Sequence, residues 1–272
     1  MIHVISLTWN GCDKLKRLEP GLMRNLANTG QTSAWYIRNN GSKDGTVEYV
    51  NSLGPKVHLL AKDHNRDNFA QGMNSLTSLA RFSPEFNLET DSFLLLNDDV
   101  EFSDDVSIGK MVAQMKDDVG IVGCRLLYNG TDKLQHAGVI FSPRYGNMPY
   151  HYRHQENSDV VAEKNRYFQA VTAAVCLVRA KDFVAIGGMD EKFHWAFEDI
   201  DMNLRIGKLG RKIVYCGETK IFHEESASLK KNPVNKLFMG PNVEHFKSKW
   251  LGKYELDHDK YLKDPTYNEV KS

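Results

Sequence analysis

The sequence predicts an α/β fold: a single domain with a mostly parallel central sheet, helices on both of its faces, and a helical tail at the C-terminus. Three observations carry that expectation. Short β-branched apolar runs alternate with segments whose leucines recur every three or four residues through the first hundred positions, the order that builds parallel sheets. Residues 92–96, Ser-Phe-Leu-Leu-Leu, are apolar enough for a strand covered on both faces. No repeat, linker or low-complexity stretch divides the 272 residues.

Each element follows from a local signal. Residues 2–7 form the first strand, and Leu15, Leu18, Leu22 and Leu26 mark the helix after it. A strand at 35–37 ends in the turn cluster Asn39-Asn40-Gly41-Ser42. Asp44 can cap a second helix carrying Val47 and Val50, which Gly54-Pro55 stops. Residues 57–61 give the third strand, 69–82 the third helix and 92–96 the fourth strand. Past residue 100, strands are expected at 119–127, 135–141 and 166–178, with fewer helices between them. Residues 142–165 are polar and without period, a long surface loop of the kind that carries function. A helix spans 198–209, with Ile200 and Leu204 facing inward and Gly210 at its end, and a short strand follows at 212–215.

Lys plus Arg and Asp plus Glu each total 35, so the chain has no bulk electrostatic reason to bind DNA, RNA or an anionic membrane. At 41% hydrophobic and 26% charged it has the composition of a globular protein with a real core. No run approaches the roughly 20 apolar residues of a membrane span. The opening residues lack a basic stretch and read as a strand, not a signal peptide. Cys12, Cys124, Cys176 and Cys216 are scattered and are expected to be reduced thiols of a cytoplasmic protein.

Three segments carry chemistry. An apolar strand delivers Asn97-Asp98-Asp99 at its C-terminal end, where open α/β sheets bind ligands. Adjacent carboxylates there repel unless a cation sits between them and an anion; a capping turn is the alternative. Trp195-Ala196-Phe197-Glu198-Asp199-Ile200-Asp201 opens a helix. Its carboxylates suit the helix dipole, or Asp199, flanked by large apolar residues, is desolvated and acts as a base. His223 follows an apolar strand end, and imidazole with carboxylate suits Mn²⁺ or a similar ion. The loops at 39–46 and 65–74 offer backbone N–H groups to an anion or a base edge. Neither fits the phosphate-loop or dinucleotide glycine pattern, which counts against nucleotide hydrolysis and hydride transfer. Gln135-His136-Ala137-Gly138 opens a strand and has no chemistry assignable from its residues alone.

Taken in order, Asn40-Gly41-Ser42-Lys43-Asp44-Gly45-Thr46, Asn97-Asp98-Asp99, Gly187-Gly188-Met189-Asp190-Glu191 and His223-Glu224-Glu225-Ser226 resemble the inverting glycosyltransferases of family 2, which have the Rossmann-like GT-A fold. The nearest branch is the rhamnosyl- and galactofuranosyl-transferase-like enzymes of bacterial surface glycans. The resemblance implies Thr8 and Asn39 at the nucleotide base and Asp98 near the ribose, with Asn10, Asp44, Arg66, Asn74 and Asn97 also in the donor site. It implies that Asp99 and His223 hold Mn²⁺ or Mg²⁺ against the donor diphosphate, as in a DXD motif. Asp199 would be the catalytic base, Glu198 would orient the acceptor and Trp195 would stack on a sugar. Residues 1–100 would form the nucleotide-sugar half, 101–243 the metal and acceptor half of the same domain, and 244–272 the tail. The implied donor is a UDP- or dTDP-sugar and the acceptor a hydroxyl of a glycan or lipid-linked glycan. The family often has Asp at Asn39, prefers Gly at Asn68, and has Thr-Gly-Ala where this chain has Thr172-Ala173-Ala174. These departures leave the base open and narrow the space beside the donor sugar.

Other readings keep part of this chemistry. The acceptor could instead be a hydroxylated nucleobase of DNA, which zero net charge disfavours, or a protein side chain. A sugar nucleotidyltransferase would want a basic, glycine-rich loop where residues 7–12 offer only Gly11. A non-catalytic sugar-binding module would not need Asp99, Asp199 and His223 together. In the tail, Phe246, Trp250 and Tyr254 recur every four residues among Lys247, Lys249 and Lys253. That stripe predicts a helix docked on the domain; the alternative is a surface helix making peripheral contact with the inner face of a membrane.

Overall fold

The computed structural model describes residues 1–153, 161–194, 196–224 and 239–271. Its first half follows the expected order. Strands β1 (Ile2–Thr8), β2 (Ser33–Asn40), β3 (Val57–Lys62) and β4 (Ser92–Leu96) are joined through helices α1 (Cys12–Asn28), α2 (Thr46–Ser52) and α3 (Phe69–Arg81). Past residue 100 come β5 (Val100–Phe102), α4 (Ser107–Gln114), β6 (Val119–Tyr128), β7 (Leu134–His136), β8 (Val139–Ser142), β9 (Met148–His151), β10 (Arg166–Phe168) and β11 (Val175–Arg179). The chain continues through α5 (Ala180–Ala185), α6 (Glu198–Lys208), β12 (Lys212–His223), α7 (Met239–Trp250) and α8 (His258–Lys263).

The main sheet runs β10-β12-β6-β11-β4-β1-β2-β3, with β5 paired to β12 and β7 to β6. The β3-β2-β1-β4 half is parallel, as periodicity predicts. β11 then lies antiparallel between β4 and β6, and β12 resumes the parallel direction beside β6. Successive side chains alternate between the two faces of a strand. Val4, Leu94, Leu96, Val175 and Leu177 therefore join one core cluster, while Ile5, Phe93, Leu95, Cys176 and Val178 join the other. Leu15, Leu18, Leu22 and Leu26 of α1 cover the first cluster, and Met73 and Leu76 of α3 the second. Truncating any one of these buried leucines to alanine removes about 2–5 kcal/mol.

The second half departs from the sequence expectations in four places. The run at 135–141 is two strands, broken at Gly138, whose φ of +99° and close approach to the Phe168 ring leave no room for a side chain. The run at 166–178 divides into β10 and β11 around a bridging segment. The short strand at 212–215 extends to His223, with a register shift between Cys216 and Ile221 absorbing the polar residues that hid its continuation. The loop at 142–165 is not purely surface: β9 pairs with β8, and Tyr152 and Val161 are buried. Helices α4 and α5 span only 8 and 6 residues, too few for periodicity to reveal.

The aromatic stripe of the tail is spent on the domain. Phe246 and Trp250 are buried in a third cluster with Phe141, Phe193 and Leu204, and Tyr254 packs on Phe141 with ring centroids 4.2 Å apart. Trp250 Nε1 donates to the buried Asp201 carboxylate at 2.8 Å. The stripe therefore does not face outward as a membrane-surface helix requires. Among the described residues no helix is long and apolar enough to cross a membrane. All four cysteines are buried and unbonded.

Candidate active site

The site forms where β4 ends. Leu96 is the last residue of a wholly buried strand, so the polar residues after it emerge together at the sheet's edge. Asn97 N–H donates to the Ala174 carbonyl at 2.9 Å, anchoring the turn to the bridging segment before β11. Asp98 accepts from Thr8 Oγ1 at 2.8 Å and from Lys14 Nζ at 3.1 Å. Burial pushes its carboxyl up, although Lys14 opposes that. Gly11 lies against this pair: a Cβ there would sit 2.1 Å from Thr8 Oγ1 and 2.6 Å from Asp98 Oδ2.

Asp99 meets His223 because β5 pairs antiparallel with the end of β12, Val100 opposite His223. Asp99 Oδ1 lies 3.2 Å from His223 Nε2, and Asp99 Oδ2 lies 3.6 Å from Lys14 Nζ. Burial acts to raise the Asp99 carboxyl, but an imidazolium form of His223, donating from Nε2, together with Lys14 outweighs it and holds the carboxyl below the usual range. Oδ1 is nevertheless buried without a hydrogen-bond partner among the described residues. A carboxylate oxygen left this way beside an imidazole nitrogen fits a divalent cation held between the two. Among the described residues no group of three or more His, Cys, Asp or Glu side chains that could hold a metal ion occurs. His223 is braced from behind by Gln135, whose Oε1 is 2.7 Å from Nδ1 and whose Nε2 donates to the His223 carbonyl at 3.1 Å.

Asp199 lies one peptide unit away from that anchor. Ala174 supplies the carbonyl that holds Asn97, and Ala173 N–H donates to Asp199 Oδ2 at 3.1 Å. Ile200 N–H donates to Oδ1 at 2.8 Å. Asn203, one turn further along α6, ties the helix to the same segment through both Val171 N–H and the Val171 carbonyl. The chain enters α6 through Ala196 and Phe197 in left-handed conformations, φ +67° and +73°. Such backbone costs of the order of 1–3 kcal/mol per residue and persists where the surroundings enforce it. Burial raises both carboxyls of the Glu198–Asp199 pair; the Asp199 charge adds to the effect on Glu198, pushing it up to about 8. Glu198 Oε2 is buried and unpartnered among the described residues. Trp195 lies outside the described residues.

The remaining expected donor residues lie in three places. Asn10, Asn39 and Asp44 shape one loop: Asn10 Oδ1 accepts from Lys43 N–H at 2.9 Å, Asn39 Oδ1 from Ser42 N–H at 3.2 Å, and Asp44 from Cys12 N–H at 3.1 Å. Asn39 is buried beneath that loop. Asn74 is drawn elsewhere. Its Oδ1 accepts from Met189 N–H, and its Nδ2 donates to the Met189 carbonyl and to Glu191. It therefore acts as a strut between α3 and the glycine turn at Gly187-Gly188. Arg66 is exposed on the loop after β3.

The family-model match decides the kinship: the glycosyl transferase family 2 model matches residues 4–176. The chain belongs to glycosyltransferase family 2. Over 142 residues, 50% of this chain and 11% of the relative, it is 34% identical to the O-antigen biosynthesis protein RfbC of Myxococcus xanthus. Over 81 residues, 30% of this chain and 25% of the relative, it is 30% identical to an N-acetylglucosaminyl-diphospho-decaprenol L-rhamnosyltransferase of Mycobacterium tuberculosis. These matches span a quarter or less of either relative. Among solved structures, a mannosyltransferase from Pyrobaculum calidifontis in complex with GDP-Man and Mn²⁺ superposes with a TM-score of 0.63 at 14% identity, covering 96% of this chain and 68% of that one. GalNAc-T7 with UDP, GalNAc and Mn²⁺ gives 0.62 at 13%, covering 82% and 44%. This family-2 chain thus has the GT-A fold, with its mixed sheet flanked by helices.

Sequence reasoning missed Lys14, Gln135, His136 and Asn203. Lys14 was findable, because it lies in the first turn of the helix after β1, beside the strand ends where open α/β sheets bind ligands. His136 accepts N–H donors from Gly138 and Thr172 at 3.3 and 3.4 Å, and burial drives its basicity well down, keeping the ring neutral. It braces the segment that holds Asp199. The segment Gln135-His136-Ala137-Gly138 stood out in the sequence without a role, and nothing local marks Asn203, since both roles depend on strands and helices distant in the chain.

Proposed function

We propose that this family-2 domain is a metal-dependent inverting glycosyltransferase. It would move a sugar from a nucleoside-diphosphate donor to a hydroxyl of a glycan or lipid-linked glycan. The observation that carries the reading is the buried, unpartnered Asp99 Oδ1 facing His223 Nε2, with Asp199 held one peptide unit from the same turn. Asp99 and His223 are the residues that would hold Mn²⁺ or Mg²⁺, which supplies Lewis-acid stabilisation of the departing diphosphate. Inversion is a single displacement: the acceptor oxygen attacks the anomeric carbon opposite the diphosphate, and one base takes its proton. Asp199 fits that base. Burial raises its proton affinity, while two backbone N–H groups fix its orientation. Glu198, protonated near neutral pH, is suited to donate to an acceptor oxygen and orient it. A retaining glycosidase would instead need two carboxylates flanking the sugar, one as nucleophile.

Thr8, Asn39 and the loop at 39–44 would take the nucleotide, with UDP or dTDP as the expected carriers and residues 1–100 as the donor half. The relatives named for O-antigen biosynthesis and rhamnosyl transfer favour a surface-glycan acceptor. A cytoplasmic location, where nucleotide sugars are available, belongs to the same proposal. Calorimetric titration with UDP, dTDP and GDP, with and without Mn²⁺, tests the reading. One nucleotide should bind in a metal-dependent way, and Asp99→Ala should abolish that dependence. Failure of the folded protein to bind any of them, or binding indifferent to metal, overturns the assignment.

A further inference from the structure

We propose that Gln135 is a positioning residue: it sets the tautomer of His223 and aims the Nε2 lone pair at Asp99. The inference rests on the reading of Asp99 and His223 as the pair that holds the metal. A backbone carbonyl only accepts, so the Gln135 atom 3.1 Å from the His223 carbonyl must be the amide nitrogen. Oε1 is then the atom 2.7 Å from His223 Nδ1. An amide oxygen only accepts, so Nδ1 carries the proton. In the neutral ring Nε2 is left with a lone pair, and the Asn97 side-chain amide lies 3.4 Å from it. That lone pair faces Asp99 Oδ1, itself an acceptor without a partner among the described residues. Two acceptors in contact are unfavourable until a cation lies between them.

The backbone around Gln135 points the same way. In the β6–β7 ladder Leu126 pairs with His136 and Leu127 with Leu134, so Gln135 is the extra residue of a bulge. Bulges re-aim a side chain out of the regular ladder and are enriched beside active sites. Here the bulged side chain is buried and gives both ends of its amide to one residue, through that residue's ring and its backbone. Outer partners of this kind fix which nitrogen of a ligating histidine is free, and their loss weakens metal binding roughly 10–100-fold.

The test uses the full chain, Mn²⁺ alone as the ligand, and two readouts. Free Mn²⁺ is followed by electron paramagnetic resonance, and the His223 tautomer by ¹⁵N-resolved NMR of the imidazole in the metal-free protein. Wild type should show Nδ1–H at His223. Gln135→Leu should give a mixed tautomer and bind Mn²⁺ about 10–100-fold more weakly. Gln135→Glu, which keeps an acceptor at Nδ1, should retain the tautomer and bind more tightly than the leucine variant. Wild-type tautomer and affinity in Gln135→Leu overturn the inference. Should the leucine variant not fold, Gln135→Glu decides, because a switch to Nε2–H in that variant refutes the clamp. Unchanged Mn²⁺ binding in both Asp99→Ala and His223→Ala would instead remove the metal-site reading, while the tautomer measurement still judges Gln135.

Discussion

Replacing Asp199 by asparagine probes the proposed base with almost no change in shape. The carboxylate receives Ala173 N–H on Oδ2 at 3.1 Å and Ile200 N–H on Oδ1 at 2.8 Å. Asparagine has one acceptor oxygen, so whichever way its amide turns, one of these N–H groups faces an NH2. Leaving a buried donor unmatched costs about 1–3 kcal/mol. In a chain of this size each kcal/mol moves Tm by roughly 2–4 °C. A domain with an ordinary reserve of about 5–15 kcal/mol survives that loss. The kinetic effect is larger, because a positioned general base contributes about 10²–10⁴-fold. The assay is single-turnover transfer from the bound donor, read as nucleoside diphosphate released, well below both melting temperatures. The expected result is a fall of about 10²–10⁴-fold in the transfer rate with nearly unchanged donor affinity, the signature of an interaction made in the transition state. Transfer within about tenfold of wild type by a folded Asp199→Asn protein would refute Asp199 as the base.

Two further outcomes follow from the same geometry. Glu198 titrates at about 8 in the folded protein against 4.5 ordinarily, through burial first and the Asp199 charge second. The folded state therefore holds a proton that the unfolded chain releases, and stability falls as pH rises from about 4.5 to about 8. Glu198→Gln removes this loss, so its Tm advantage over wild type should be larger at pH 8 than at pH 5, with a slope of at most about 1.4 kcal/mol per pH unit. An advantage independent of pH would show that Glu198 is not held protonated. Gly11→Ala drives a methyl into Thr8 Oγ1 and Asp98 Oδ2. It should cost about 1–3 kcal/mol in thermal or denaturant unfolding and weaken nucleotide binding, and wild-type values for both would contradict the tight approach.

The parallel half was legible because its signals are local. β-branched runs, leucine spacing and turn clusters each report whether a residue faces a core, and β1 to β4 fall where those signals put them. The placement of the acidic segments was legible too, since Asn97-Asp98-Asp99 follow a buried strand and Glu198-Asp199 open a helix. The second half was harder for a definite reason. β12 reads as a short strand until its register shift is seen against β6, and residues 166–178 read as one strand until β11 is seen inserted antiparallel beside β4.

Tertiary structure decided everything that depends on which elements share an edge. The β5–β12 pairing carries His223 to Asp99, and the Ala173-Ala174 backbone holds Asp199 and Asn97 on successive residues. Folding likewise turned Asn74 into a strut and gave Gln135 its hold on His223. Sequence periodicity records only whether a side chain is buried. Proton affinity, tautomer and hydrogen-bond partner depend on what it is buried against, and strand pairing brings those neighbours from distant parts of the chain.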